Sequence, residues 1–234
     1  MNTMKLTCEM TLYTSYFDYN DNLTPNAILS IFQDVATIHG EQIGVGYKKM
    51  LNKGLFWVLS RIKYDVITKP YANQKVKVIT WPHEKGKIDF DRDYLICDEN
   101  DNVLIKGTSK WCIINTVTRA LAKSDDVEYN GEFCLDVNYK ERFNKSPVLD
   151  VNGLTPSLKH QVTFSDLDHN KHMNNTKYAN LVLDVINNKD VKHFQINYIN
   201  ECKLNEQIWV YYSQSENLIC GYVNEKLIFT AQVN

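Results

Sequence analysis

Residues 18–35 read DYNDNLTPNAILSIFQDV and residues 168–185 read DHNKHMNNTKYANLVLDV, and the two align at an offset of 150. Asp18 falls on Asp168, Asn20 on Asn170, Asp34 on Asp184 and Val35 on Val185. The apolar positions align too: Ile28, Ile31, Phe32 and Val35 are spaced i, i+3, i+4, i+7, and so are Tyr178, Leu181, Val182 and Val185. That spacing predicts two amphipathic helices, each burying one face. Thr24 followed by Pro25 predicts an N-cap and first helical residue, because proline lacks only an N–H that has no partner there. In the second copy Asn174 or Asn175 takes the cap. A repeat of this size makes the chain two copies of one unit.

Strand signals follow each helix. The stretches 56–67, 75–81, 88–97 and 103–117 are rich in β-branched and aromatic residues, with Glu99-Asn100-Asp101-Asn102 as the turn before the last. Residues 193–201, 207–213, 217–223 and 226–233 repeat the series, with Asn224-Glu225 as a tight turn. Here a second register holds, Ala72–Val76 lying over Leu204–Ile208 at an offset of 132. Long strands, short turns and one preceding helix predict an α+β unit, an antiparallel sheet wrapped around a central helix. The polar stretch 124–158, with Pro147, Gly153 and Pro156, separates the copies. The expected division is a first unit over 1–135, a linker over 136–157 and a second unit over 158–234.

Composition narrows the function classes. The chain has 234 residues, 44% of them hydrophobic and 23% charged, which are ordinary globular values. A net charge of −2 offers no overall electrostatic footprint for nucleic acid or an anionic membrane. The first 20 residues hold no signal-like apolar run, and no stretch approaches the ~18 apolar residues of a membrane span. Six cysteines are scattered singly, without metal or redox spacing, so free thiols in a reducing cytoplasm are expected. No metal is expected, since His169 and His172 lack a third ligand in suitable spacing. No cofactor is expected either, with neither G-x-G-x-x-G nor a P-loop present.

The copies differ in an informative way, because a scaffold is needed twice and a site only once. Asn22 and Asp21 become His172 and Lys171, and Lys69-Pro70 becomes Glu201-Cys202. The second copy alone therefore combines Asp168, Asn170 and His172, just before a helix, with Glu201 and Cys202 near a strand end. The run Asp166-Leu167-Asp168-His169-Asn170-Lys171-His172-Met173-Asn174-Asn175-Thr176-Lys177-Tyr178 resembles the D-L-D-x-N-x-H-V-N-N-x-K-Y signature of acyl-ACP thioesterases, with Met173 in place of Val. The similarity extends through Gln33–Ala36, Phe56–Arg61, Thr80-Trp81, Phe90–Asp93, Thr108–Trp111 and Glu201-Cys202. The resemblance implies a tandem double hotdog fold and hydrolysis of acyl groups from the phosphopantetheine arm of acyl carrier protein, with one active site in the C-terminal unit. It places the family's catalytic Asp, Asn, His and acidic partner at Asp168, Asn170, His172 and Glu201. Cys202 falls where the family carries a cysteine sometimes proposed as nucleophile.

Thioester hydrolysis needs a polarised carbonyl and an activated water. Asn170 and His172 are donors ahead of a helix N-terminus, a setting that favours an oxyanion. Asp168 and Glu201 are acceptors that orient or deprotonate water, or fix the His172 tautomer; which does which stays open. Cys202 as nucleophile with His172 as base ranks second, because neighbouring Glu201 raises a thiol pKa. Taken alone, Glu201 reads as a solvated strand residue and Cys202 as a small buried hydrophobe. Ile28, Leu29, Ile31, Phe32 and Val35, with Trp57, Trp81 and Trp111, are candidates to line an acyl tunnel, with plain core as the alternative. A basic rim of Lys48, Lys49, Lys53, Lys171 and Lys177 suits an acidic carrier protein. Rival functions are an acyl-CoA thioesterase, a hotdog hydratase and a non-catalytic acyl-thioester-binding protein. Homodimerisation is left open.

Overall fold

The computed structural model describes residues 4–129, 133–187 and 190–234. Its first copy runs β1 (Leu6–Leu12), α1 (Pro25–Gln42), α2 (Tyr47–Asn52), β2 (Leu55–Val66), β3 (Gln74–Pro82), β4 (Asp89–Cys97) and β5 (Val103–Asn115). The second runs β6 (Leu158–Gln161), α3 (Lys177–Ile186), β7 (His193–Tyr198), β8 (Gln207–Ser213), β9 (Leu218–Val223) and β10 (Lys226–Val233). All ten strands join one antiparallel sheet in the order β1-β3-β4-β5-β2-β7-β10-β9-β8-β6. Outward from the β2–β7 seam the order is the same in both directions, so the duplication is a pseudo-two-fold of the fold itself.

The eight anticipated strands are all present. The edge strands β1 and β6 were not anticipated: β1 does alternate, Leu6, Cys8, Met10 and Leu12 against Thr7, Glu9 and Thr11, whereas β6 has only four residues and no apolar run. β7 stops at Tyr198 rather than 201: Ile199 and Asn200 both donate their N–H to the Ile228 carbonyl, at 2.8 and 3.1 Å. The first copy does the same, with Ile67 and Thr68 donating to the Leu104 carbonyl at 2.8 and 3.1 Å. Both chains thus leave the ladder just before Glu201 and Lys69. β5 ends at Asn115 because its Oδ1 accepts from the N–H groups of Val117 and Thr118, both at 2.9 Å.

Thr24 caps α1 through its hydroxyl, which accepts from Ala27 N–H at 3.2 Å, with Pro25 at the first helical position. The second cap differs from expectation. Thr176 precedes α3, and Asn174 Oδ1 takes its N–H and its hydroxyl, both at 2.9 Å. Asn175 makes no cap; its carbonyl accepts the Tyr198 hydroxyl at 2.9 Å. Both helices lie on the same side of the sheet, their stripes buried against it. Ile28, Ile31, Phe32 and Val35 are each at most 5% exposed, and burying such a side chain stabilises by roughly 1.5–3 kcal/mol. Gly107 on β5 admits this packing, since a Cβ there would stand 2.4 Å from the Phe32 ring.

The stretch expected as a linker crosses the other face of the sheet as a strap. Asp136 O accepts from the Trp81 indole, the Asn138 amide donates to the carbonyls of Tyr94 and Gly107, and Phe143 O accepts from Arg61. Beyond the seam, Asn144 O accepts from Gln195 and Leu149 N–H donates to Cys220 Sγ. Side-chain bonds to β3, β4, β5, β2, β7 and β9 fasten a segment that has no regular structure of its own.

At the C-terminal end of α1, His39 is buried, and its Nδ1 accepts from Arg92 Nη1 at 2.9 Å; the same guanidinium nitrogen donates to Thr80 Oγ1 at 3.2 Å. Burial, reinforced by the Arg92 charge, pushes the His39 pKa from 6.5 down to about 4, so the folded ring is neutral. Between these values the unfolded chain binds the extra proton. The contribution is therefore complete above pH 6.5 and is lost as pH falls toward 4. In urea titrations, His39→Asn, which keeps an acceptor but no titration, loses that slope relative to wild type; an unchanged slope refutes the assignment.

Candidate active site

An Asp-led turn sets the geometry. Asp168 Oδ1 accepts from Asn170 N–H at 2.8 Å and His172 N–H at 3.3 Å, with Lys171 at a φ of 63°. The same turn occurs at Asp18, whose Oδ1 accepts from Asn20 and Asn22 N–H, and at Asp98, whose Oδ1 accepts from Asn100 and Asn102 N–H. In those two, the fifth residue is an asparagine whose Nδ2 also donates to the aspartate Oδ2. In the third it is His172, and the ring turns elsewhere. Asp168 is thus first a scaffold residue that aims the backbone of His172. Asn170 stands exposed on the same turn.

Backbone bonds then tie this turn to the segment after β7. Met173 N–H donates to Cys202 O at 2.9 Å, and His172 and Lys203 form an isolated antiparallel bridge. His172 Nε2 consequently lies 3.4 Å from Glu201 Oε2. Glu201 has a further partner that sequence reading missed. Arg119, in the turn after β5, places Nη2 at 2.8 and 2.7 Å from Glu201 Oε1 and Oε2. A lone arginine in a polar turn carries no pattern that would have singled it out. The first copy also contributes Tyr47 of α2, whose ring meets His169 edge-on at 4.9 Å.

Cys202 is fully buried, and burial pushes its thiol up to about 11 despite the Tyr178 hydroxyl beside it. A thiol so placed, among the core residues, is held in its protonated form, which disfavours the nucleophilic reading.

The acyl-lining candidates divide between core and cleft. Ile28, Ile31, Phe32 and Val35 pack into the main core, and Trp57 donates its indole N–H to Val45 O and packs edge-on against Phe90. Two of the candidates, Leu29 of α1 and Trp111 of β5, do line a small cleft, together with Gln33 of α1, Asn175 and Tyr198, the last two each three residues from His172 or Glu201 in the chain. Its free space is about that of one water, so an acyl chain enters only if these side chains part. The pseudo-two-fold builds a second cleft from counterpart residues: Pro25 for Asn175, Val66 for Tyr198, Leu183 for Gln33 and Val191 for Leu59. Asn22 and Lys69, the counterparts of His172 and Glu201 in the sequence repeat, line this second cleft, whereas His172 and Glu201 are not among the lining residues of the first. Among the described residues, no group of three or more His, Cys, Asp and Glu is placed to hold a metal ion.

Two family models match the chain, the acyl-ACP thioesterase N-terminal domain over residues 3–129 and the C-terminal domain over 155–229. A chloroplastic acyl-[acyl-carrier-protein] hydrolase of Cuphea viscosissima is 30% identical over 198 residues, covering 75% of this chain and 47% of the relative. A chloroplastic oleoyl-acyl carrier protein thioesterase of Coriandrum sativum is 30% identical over 207 residues, covering 79% and 56%. The chain thus spans about half the length of the curated relatives it matches. Among solved structures, an acyl-ACP thioesterase from Bacteroides thetaiotaomicron superposes with a TM-score of 0.84 at 22% identity, covering 98% of this chain and 97% of the other. A 12:0-ACP thioesterase from Umbellularia californica gives 0.82 at 20% identity, covering 100% and 98%. These likenesses establish the tandem double hotdog fold.

Burial makes Cys202 unreactive in the native state. Iodoacetamide at pH 7.5 leaves it unmodified by mass spectrometry while alkylating it in urea; native alkylation at the rate of a free thiol contradicts the placement.

Proposed function

Because this chain belongs to the acyl-ACP thioesterase family, we propose that it hydrolyses fatty acyl thioesters of acyl carrier protein, releasing a free fatty acid and the carrier with its phosphopantetheine thiol. The observation that carries the reading is the asymmetry of the two copies. At equivalent backbone positions, one has Asn22 and Lys69 and the other His172 paired with Glu201. Only the second holds a base with an acid to orient it.

Glu201 Oε2 stands 3.4 Å from His172 Nε2 and so favours the tautomer with its proton on Nε2, which leaves the lone pair on Nδ1. Nδ1 takes a proton from water as its oxygen attacks the thioester carbonyl carbon. The Asn170 amide, exposed on the same turn as His172, donates to the oxyanion. Collapse breaks the C–S bond, and the thiolate, whose acid has a pKa near ~8.5, leaves readily and takes the proton from Nδ1. Asp168 holds the turn that presents both residues.

Exposed Lys48 and Lys49, next to Tyr47, and Lys171, near His169 in the chain, form a basic rim suited to an acidic carrier, and the family membership favours that carrier over coenzyme A as the bearer of the acyl arm. No helix among the described residues is long and apolar enough to cross a membrane. All six cysteines are unpaired, which supports a reducing compartment such as the cytoplasm.

Steady-state hydrolysis of matched acyl-ACP and acyl-CoA thioesters tests the proposal. Acyl-ACP is the better substrate; His172→Ala lowers kcat by about 10²–10⁴-fold, and Cys202→Ala retains most of it. No turnover of any acyl-ACP sinks the reading, and equal kcat/KM on both substrates sinks the carrier preference. Raising NaCl from about 50 to 500 mM, which shortens the Debye length, raises KM for acyl-ACP while kcat holds; a salt-independent KM removes the lysine rim from docking.

A further inference from the structure

We infer that Arg119, supplied by the first copy, is a positioning residue that holds the Glu201 carboxylate against His172. The inference rests on the thioesterase reading above for its kinetic consequences, though not for its geometry. Glu201 Oε2 is shared, 2.7 Å from Arg119 Nη2 and 3.4 Å from His172 Nε2, while Oε1 meets the same Arg119 nitrogen at 2.8 Å. One guanidinium nitrogen therefore grips the carboxylate end-on and leaves Oε2 facing the imidazole.

Stability does not explain this pair. The two side chains are 48% and 38% exposed, and ion pairs in such settings contribute little to folding. Yet the backbone is shaped to make it. Arg119 sits at a φ of 59°, a left-handed conformation unfavourable for a residue with a Cβ. The turn is over-determined by Asn115, whose side chain takes the Val117 and Thr118 N–H groups and whose carbonyl takes Arg119 N–H at 3.0 Å. The guanidinium also lies over the Phe56 ring at 5.0 Å, which fixes its approach from below. The turn thus holds Arg119 in one backbone conformation, and its side chain ends on the carboxylate that faces His172.

The physical task is rotamer selection. A half-exposed glutamate in a loop samples several side-chain conformations, and only some keep an oxygen on His172 Nε2. With Arg119 in place the carboxylate stays in one of these, and the imidazole keeps the tautomer with the lone pair on Nδ1. The second copy's site is therefore incomplete without the first, although the reacting groups all belong to the second.

The test is a cycle of Arg119→Gln, Glu201→Gln and the double variant in steady-state hydrolysis, with thermal melting to confirm folding. Arg119→Gln lowers kcat by about 10- to 100-fold and leaves KM nearly unchanged. In the Glu201→Gln background the same change has little further effect, because the carboxylate it positions is gone. An equal fall in both backgrounds, or an effect confined to KM, overturns the inference. ¹⁵N NMR of the substrate-free protein gives a readout that needs no turnover. Wild type shows the His172 Nε2–H tautomer and Arg119→Gln a tautomer mixture; ring signals unchanged by the substitution overturn it. If wild type hydrolyses no thioester, the functional reading fails and the NMR comparison still decides the role of Arg119.

Discussion

Antiparallel pairing of β2 with β7 is the constraint from which the rest of the molecule follows. The register Arg61↔Asn197 to Asp65↔His193 fuses two half-sheets that would each expose an unpaired edge. It also decides which ends meet. Continued past Arg61↔Asn197, the register brings the segment after β7 beside the start of β2, where Phe56 lies. β5 pairs with that same start, Phe56 opposite Ile114, so the turn after β5 arrives at the same place. Arg119 and Glu201, far apart in the chain, become neighbours because both ends are tied to one strand.

Around that seam the two copies are alike down to individual hydrogen bonds. Each helix is preceded by an Asp-led turn, and each central strand leaves its ladder through two N–H groups sharing one carbonyl. The backbone at 172 and 201 is therefore not special. What differs is the side chains placed on it, an imidazole for an amide and a carboxylate for an ammonium, so the first copy shows the same frame with a different outfit. Arg119 breaks the symmetry in the other direction, because a residue of the unfurnished copy reaches across.

How much of this was legible beforehand depends on the range of the physics. Local signals were enough for Thr24 and Pro25, for the helical stripes and for eight strands, since capping, periodicity and β-branching act within a few residues. They failed where partners are distant. The four-residue strand β6 exists because β8 offers it an edge, whereas the alternation of β1 was there to be read. Ile28, Ile31, Phe32 and Val35 looked like candidates for an acyl tunnel, yet a buried stripe has the same pattern whether it faces core or ligand; the sheet packed against it decided for core, and Leu29 and Gln33 at its margin meet the cleft. Asp168 looked like chemistry because it stands beside His172, and the sister turns at Asp18 and Asp98 reveal its scaffold work.

By itself, then, the sequence determined that the chain is a duplication, that each copy is a helix with an antiparallel sheet, and that His172 and Glu201 distinguish the second copy from the first. These are statements about order along the chain, and order is what periodicity and repetition record. Only the tertiary structure decided that the imidazole and the carboxylate meet, that Cys202 is sealed away, and that Arg119 completes the group. Those outcomes depend on strand register and burial, which no local stretch of residues specifies, because each is fixed by what packs against it from elsewhere in the chain.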